Sequence, residues 1–100
     1  MDKLIKVGHC QDIPLGEGRK YLLNGEEVGI FNLGKEILAV SNRCPHQGGP
    51  LSDGMVTGTE VICPMHARKV NLKTGCVANE KEKVRVYEVV LKGGEIFLKC

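Results

Sequence analysis

The 100-residue chain has no long apolar run. No segment approaches the roughly 18 consecutive apolar residues that a membrane-spanning helix needs. The first residues, MDKLIKVGHCQDIP, contain no apolar stretch of signal-peptide length. The expectation is therefore a single domain in the cytoplasm, with no membrane partner.

The chain also lacks a strong charge of either sign. Fourteen Lys and Arg residues against twelve Asp and Glu residues give a net charge of +2, and the basic residues are scattered. Binding to nucleic acid or to an anionic membrane relies on clustered positive charge. Both functions are therefore disfavoured.

The residue patterns of independent catalysis are missing as well. The sequence contains no Ser/His/Asp set, no paired carboxylates in a cleft-like context and no G-x4-G-K phosphate-binding loop. One hundred residues are also too few for a second domain with its own catalytic pocket. We expect any redox or metabolic role to depend on a larger partner.

Stretches long enough for a helix are rare, because thirteen glycines and four prolines interrupt the chain. Three segments predict β-hairpins, with turns at Asn24-Gly25, Gly34-Lys35 and Gly93-Gly94. Residues 76–92 are free of glycine and long enough for a helix, but their β-branched residues favour a strand. The sequence thus predicts an all-β fold.

One domain spanning residues 1–100 is expected, since no long-period repeat or low-complexity linker divides the chain. The strand-forming segments lie towards both ends, at about 1–41 and 73–100. They are predicted to form a framework that holds an inserted segment of about 42–72.

The five cysteines are not expected to form a disulfide framework, because their number is odd and the cytosol keeps thiols reduced. Metal binding explains some of them better. Cys76 and Cys100 have no histidine or carboxylate arrangement that would make them nucleophiles, so we expect plain thiols. The pair His9-Cys10 has no partner at ligand spacing and is interpreted as ordinary surface.

Two of the three histidines follow a cysteine at short spacing, in CPH at residues 44–46 and CPMH at residues 63–66. In an extended backbone Cys44 and His46 point to the same side, and the spacing of Cys63 and His66 suits a turn. The sixteen residues from 47 to 62 suffice for a strand out and back. Two loop tips would then bind one group from opposite sides.

Two thiolates and two imidazoles fit tetrahedral zinc, and they also fit a 2Fe-2S cluster in which cysteines hold one iron and histidines the other. The spacing C-x-H followed by C-x2-H is unusual for zinc. Gly48 and Gly49 let backbone N–H groups approach a negatively charged centre, while Pro45, Pro50 and Pro64 stiffen the loops. A rigid site reorganises little when an electron arrives, which suits an electron carrier.

Residues 44–75, CPHQGGPLSDGMVTGTEVICPMHARKVNLKTG, resemble the Rieske 2Fe-2S domain, and the flanking segments extend the likeness over essentially the whole chain. The resemblance implies one 2Fe-2S cluster per chain, with Cys44 and Cys63 on the buried iron and His46 and His66 on the outer one. It also implies a Rieske-type antiparallel β-sandwich framework with a small inserted cluster-binding subdomain.

The ligand set indicates the range of reduction potential. Replacing two of four cysteine ligands by histidines moves the potential from about −400 mV into a window of roughly −150 to +300 mV. By resemblance, high-potential members carry an extra cysteine in each loop and hydroxyl donors near the cluster. Here Gly49 and Met65 occupy those loop positions and no serine or tyrosine follows His66, which implies the low end.

Residues 16–58 look most like the small subunit of assimilatory NAD(P)H nitrite reductase, whose large subunit carries flavin and sirohaem and reduces nitrite to ammonium. That resemblance implies an electron-transfer subunit of an oxidoreductase, not catalytic alone. The stretch ARKVNLKTG, residues 67–75, is instead similar to ferredoxins that serve aromatic-ring dioxygenases. A free-standing ferredoxin for an oxygenase and its reductase is the alternative, and a purely structural accessory is a third possibility.

Basic residues follow the second histidine. Arg68 and Lys69 fit either a docking patch for an acidic redox partner or a solvated loop. The sequence leaves these two interpretations open.

Overall fold

The computed structural model describes residues 3–43, 50–64, 68–78, 81 and 83–99. Within these residues the regular elements are ten strands and two single-turn 3-10 helices, and there is no α-helix, so the all-β prediction is confirmed. The strands are β1 (Leu4–His9), β2 (Gly18–Leu23), β3 (Glu26–Asn32), β4 (Ile37–Ser41), β5 (Met55–Thr57), β6 (Glu60–Ile62), β7 (Lys69–Asn71), β8 (Val86–Tyr87), β9 (Val89–Lys92) and β10 (Glu95–Lys99). The 3-10 helices span Cys10–Asp12 and Leu51–Asp53.

The strands pair into three sheets. The terminal sheet has the order β1-β10-β9, the central sheet β2-β3-β4-β8, and the loop sheet β5-β6-β7. Every pairing between these strands is antiparallel, as the resemblance implied. Across the described part of the chain, no helix is long and apolar enough to cross a membrane.

The three predicted hairpin turns are confirmed. Asn24 and Gly25 join β2 to β3 with φ angles of 52° and 82°, and Gly34 lies between β3 and β4 with φ 85°. Gly93 and Gly94 join β9 to β10, also at positive φ. Glycine reaches this conformation without steric cost and asparagine with little, so these residues place the turns.

The predicted strand within residues 76–92 is confirmed for its C-terminal part, where it is divided in two. Val86 and Tyr87 pair with β4 of the central sheet, whereas β9 pairs with β10 of the terminal sheet. Glu88 is the point of transfer between the sheets, and its carbonyl accepts a hydrogen bond from the Lys99 amide at 3.0 Å. One continuous strand cannot follow both sheets, which explains the interruption.

Alternate residues of β3 face two separate apolar cores, since successive side chains of a strand point to opposite faces. Val28 and Ile30 are fully buried in a core shared with the terminal sheet. Phe31 is fully buried in a core shared with the loop sheet. We call the second one the loop-side core, which consists of Phe31, Val40, Leu51, Val61, Cys63, Val70, Leu72, Val77 and Val84.

Phe31 is the largest of the fully buried side chains in the loop-side core. A Cβ atom at Gly18 would lie 2.5 Å from its ring, and one at Gly29 would lie 3.0 Å from it. The two glycines therefore make room for the aromatic ring on the face of the central sheet. The ring in turn supports the layer that carries the candidate site.

We predict that Phe31→Ala lowers the free energy of unfolding by about 3–5 kcal/mol, because it leaves a cavity between the central and loop sheets. The matched control is Leu22→Ala on the neighbouring strand, whose side chain is 69% exposed. The control should change stability by no more than about 0.5 kcal/mol. Urea unfolding measures both, and equal losses would contradict the layered packing.

Candidate metal centre

The two predicted ligand pairs lie in or beside two connecting segments, and Leu51 and Cys63, which flank these segments, belong to the loop-side core. The first loop, residues 44–49, follows β4 and precedes the 3-10 helix Leu51–Asp53, and the second loop, residues 64–67, lies between β6 and β7. Cys63 lies within the described residues, directly after β6. Cys44, His46 and His66 lie outside the described residues, so their ligand roles stay predictions.

Backbone pairing closes both loops at their bases. Arg43 and Pro50 form an antiparallel bridge around the first loop, and the next pair outward is a hydrogen bond of 2.8 Å from the Leu51 amide to the Asn42 carbonyl. At the second loop the Cys63 amide donates to the Arg68 carbonyl at 2.8 Å. The ends of each loop are thus fixed side by side.

The chain between the two loops runs out and back as predicted. β5 and β6 pair antiparallel, with Val56 opposite Val61. β6 continues directly into Cys63, so the hairpin returns the chain to the site.

Cys63 is fully buried, and its thiol forms no disulfide. It belongs to the loop-side core together with Leu51, which follows the first loop. A buried thiolate is a soft ligand of the kind that holds iron-sulfur clusters, and burial suits the inner of two irons. The observed position of Cys63 therefore fits the predicted 2Fe-2S group.

Gly54 lets the two loop-bearing segments approach each other. A Cβ atom there would overlap the carbonyl oxygen of Ile62 and lie 2.9 Å from a methyl group of Val61. Its φ of −79° is open to any residue, so glycine is required for space and not for backbone conformation. The end of the 3-10 helix after the first loop thus packs against the strand that leads to Cys63.

Positive side chains border both loops. Arg43 precedes the first loop and is exposed, while Arg68, partly buried, and Lys69, exposed, follow the second. Complementary charge mainly accelerates encounter between proteins. The docking patch at Arg68 and Lys69 stays a prediction.

The remaining histidine and cysteines have other positions. His9 caps the 3-10 helix Cys10–Asp12, with its Nδ1 accepting a hydrogen bond from the Gln11 amide at 3.1 Å. This contact gives His9 a structural role. Cys76 is a free, exposed thiol, and Cys100 lies outside the described residues.

Two residues near the site escaped the sequence analysis, Gly54 and Asn42. Asn42 is fully buried, and its Oδ1 accepts a hydrogen bond from the Ser52 amide at 2.7 Å. The available signal was an amide residue directly after the strand ILAVS and two positions before Cys44. For Gly54 the requirement is steric, since a Cβ would overlap Ile62 across the β5-β6 hairpin, and its position before MVT gave no turn signal.

Comparisons with known proteins agree with this geometry. The family model of the Rieske-like 2Fe-2S domain matches residues 3–99. The ferredoxin component of the naphthalene 1,2-dioxygenase and salicylate 5-hydroxylase systems of Ralstonia sp is 32% identical over 98 residues, which cover 95% of this chain and 93% of that protein. These matches confirm the 2Fe-2S cofactor over the zinc alternative.

Solved structures show the same fold. The ferredoxin of carbazole 1,9a-dioxygenase from Nocardioides aromaticivorans IC177 has a TM-score of 0.89 and 27% identity, covering 96% of each chain. A Mycobacterium tuberculosis protein assigned as the small subunit of an NADH-dependent nitrite reductase has a TM-score of 0.92 and 24% identity, covering 100% of this chain and 96% of that one. At 24% identity the second likeness shows the fold alone.

We predict that Gly54→Ala destabilises the protein by about 1–3 kcal/mol through overpacking, and that it accelerates iron release to a chelator. The control is Gly58→Ala, where the added Cβ meets nothing within 4 Å and only the positive φ of 60° is strained. Urea unfolding and chelator kinetics measure the two effects. Iron release as slow in Gly54→Ala as in Gly58→Ala would contradict a role in holding the two segments together.

Proposed function

Because the chain belongs to the Rieske-like 2Fe-2S domain family, we propose that it is the ferredoxin of an aromatic-ring dioxygenase system, which delivers single electrons to the oxygenase component. The observation that carries this proposal is the 32% identity with the Ralstonia ferredoxin component over nearly the full length of both chains. Sequence identity over nearly the full length bears on partners, whereas a shared fold alone does not.

The residues of this chain hold and insulate the centre. When bound, a 2Fe-2S cluster accepts and returns one electron. In our proposal Cys44 and Cys63 hold the inner iron, and His46 and His66 hold the outer one. The full burial of Cys63 supports this division, because that ligand is sealed from water by the loop-side core. We assign residues 42–72 as the cluster-binding part and the rest as its framework.

A carrier of this kind needs two partners, a reductase that donates electrons and an oxygenase that receives them. The sequence offers no catalytic set of its own, which is consistent with a carrier that leaves chemistry to the oxygenase. Arg43, Arg68 and Lys69 border the loops, and we propose that they contact these partners.

The second candidate is the small subunit of an NAD(P)H nitrite reductase, which would receive its electrons from the flavin and pass them to the sirohaem of a large subunit. The resemblance of residues 16–58 to that family favours it. It ranks second because the relative that is 32% identical belongs to an oxygenase system, whereas the nitrite reductase small subunit reported above is 24% identical. This order reverses the one that the sequence alone suggested.

The ligand assignment predicts that Cys63→Ser abolishes cluster binding, because a neutral hydroxyl replaces a thiolate ligand of iron. Iron analysis should show background iron, and the dithionite-reduced protein should lose its electron paramagnetic resonance signal. Cys76→Ser removes an exposed thiol of the same chemistry and should keep both. A Cys63→Ser protein with full iron content and an unchanged signal would rule out this ligand.

The partner assignment is tested by mixing the reduced protein, in molar excess, with one of two oxidised acceptors from the same genome. One is an aromatic-ring oxygenase with its aromatic substrate and dioxygen, and the other is the large subunit of a sirohaem nitrite reductase with nitrite. Stopped-flow absorbance follows reoxidation, and product analysis follows turnover. We expect fast reoxidation and ring hydroxylation with the oxygenase, and neither with Cys63→Ser. Fast reoxidation and ammonium formation with the nitrite reductase alone would replace the first proposal by the second.

A further inference from the structure

We propose that Asn42 is a positioning residue of the 2Fe-2S centre. It holds together the two ends of the first loop, and its side-chain Nδ2 donates a hydrogen bond to a cluster sulfur or a cysteine thiolate. The inference rests on the proposed ligand roles of Cys44 and His46. It concerns a residue outside the four ligands and assigns it an effect on the reduction potential.

Asn42 joins three segments through hydrogen bonds. Its backbone amide donates to the Glu27 carbonyl on β3 at 3.0 Å, and its carbonyl accepts from the Leu51 amide at 2.8 Å. Its side-chain Oδ1 accepts from the Ser52 amide at 2.7 Å. Residue 42 precedes the first loop, whereas residues 51 and 52 follow it. Asn42 therefore fixes the distance between the two ends of the segment that carries Cys44 and His46.

The side chain of Asn42 is fully buried, and its Nδ2 has no hydrogen-bond partner among the described residues. A buried donor without an acceptor loses its hydration and gains no hydrogen bond in exchange. Buried polar groups therefore nearly always have partners. If clamping were its whole role, only the oxygen of the amide would be needed. We infer that the acceptor belongs to the centre that the adjoining residues Cys44 and His46 are proposed to hold.

The adjoining ligand loop supplies a suitable acceptor chemistry. Cluster sulfurs and cysteine thiolates carry negative charge, and hydrogen bonds to them raise the reduction potential by stabilising the reduced form. Asn42 lies two positions before Cys44 and its amide bonds to the segment after the loop. A single neutral donor at this position stabilises added negative charge without burying a charge of its own.

The central sheet makes space for this amide. A Cβ atom at Gly29 would lie 2.8 Å from Asn42 Oδ1, inside normal contact distance. Gly29 is in the middle of β3, where its φ requires no glycine. The absence of a side chain there therefore accommodates the Asn42 amide together with the Phe31 ring, and it offers a second way to disturb the amide.

The test replaces Asn42 by leucine, which has a similar volume and no polar atoms. In the isolated protein, redox titration followed by electron paramagnetic resonance should show a tenfold lower ratio of reduced to oxidised cluster at fixed potential, equivalent to 59 mV for a one-electron couple. Iron release to a chelator should accelerate about tenfold or more, as for other residues that support metal ligands.

The matched control is Leu98→Ala, a fully buried substitution in the core on the opposite face of the central sheet. It should lower the melting temperature without changing the midpoint potential. If Asn42→Leu left the potential within error of the Leu98→Ala value, the positioning role would be wrong and Asn42 would serve folding only.

Gly29→Ala covers the case in which Asn42→Leu fails to fold. It keeps the amide but displaces it, so we expect a lower potential in the same titration, and an unchanged potential would overturn the proposal. Neither measurement involves an oxygenase or a nitrite reductase. A wrong partner assignment would thus leave this test intact, and a failed test would leave the partner assignment standing.

Discussion

The pairing of backbone groups at the bases of the two loops is the constraint on which the site depends. The Leu51 amide bonds to the Asn42 carbonyl, and the Cys63 amide bonds to the Arg68 carbonyl, each at 2.8 Å. Both pairs lie at the loop-side core, to which Leu51 and Cys63 contribute buried side chains. Hydrophobic packing and backbone hydrogen bonding therefore act on the same residues that flank the two loops. Together they fix the distance between the two ends of each loop.

The central sheet connects this arrangement to the rest of the molecule. Its two faces pack in two cores, so packing against the terminal sheet also stabilises the sheet that forms one side of the loop-side core. Gly18 and Gly29 on one face have no side chain where Phe31 and Asn42 need room. Two glycines on the strands thus determine how Phe31 and Asn42 pack beside the candidate site.

Local chemistry could be predicted from the sequence, and contacts between distant segments could not. Asn24-Gly25 and Gly93-Gly94 specify their turns because the required positive φ angles are properties of those residues. The spacing of Cys63 and His66 could also be recognised, because it is a local property of the sequence. The transfer between sheets at Glu88 depends on pairing of β8 with the distant strand β4, so no local pattern could reveal it. The close approach of Gly54 to Ile62 is shorter in range, but it depends on how the hairpin packs and not on a residue preference.

The choice of partner is a different kind of problem from the choice of fold. Proteins assigned to an oxygenase system and to a nitrite reductase superimpose on this chain about equally well, with TM-scores of 0.89 and 0.92. A fold common to both cannot discriminate between acceptors. Discrimination must therefore come from exposed side chains beside the loops, of which Arg43 and Lys69 are described, and from the potential of the centre. An amide such as Asn42 acts on the potential of the centre and leaves the exposed side chains unchanged. The two determinants of partner choice can therefore change independently.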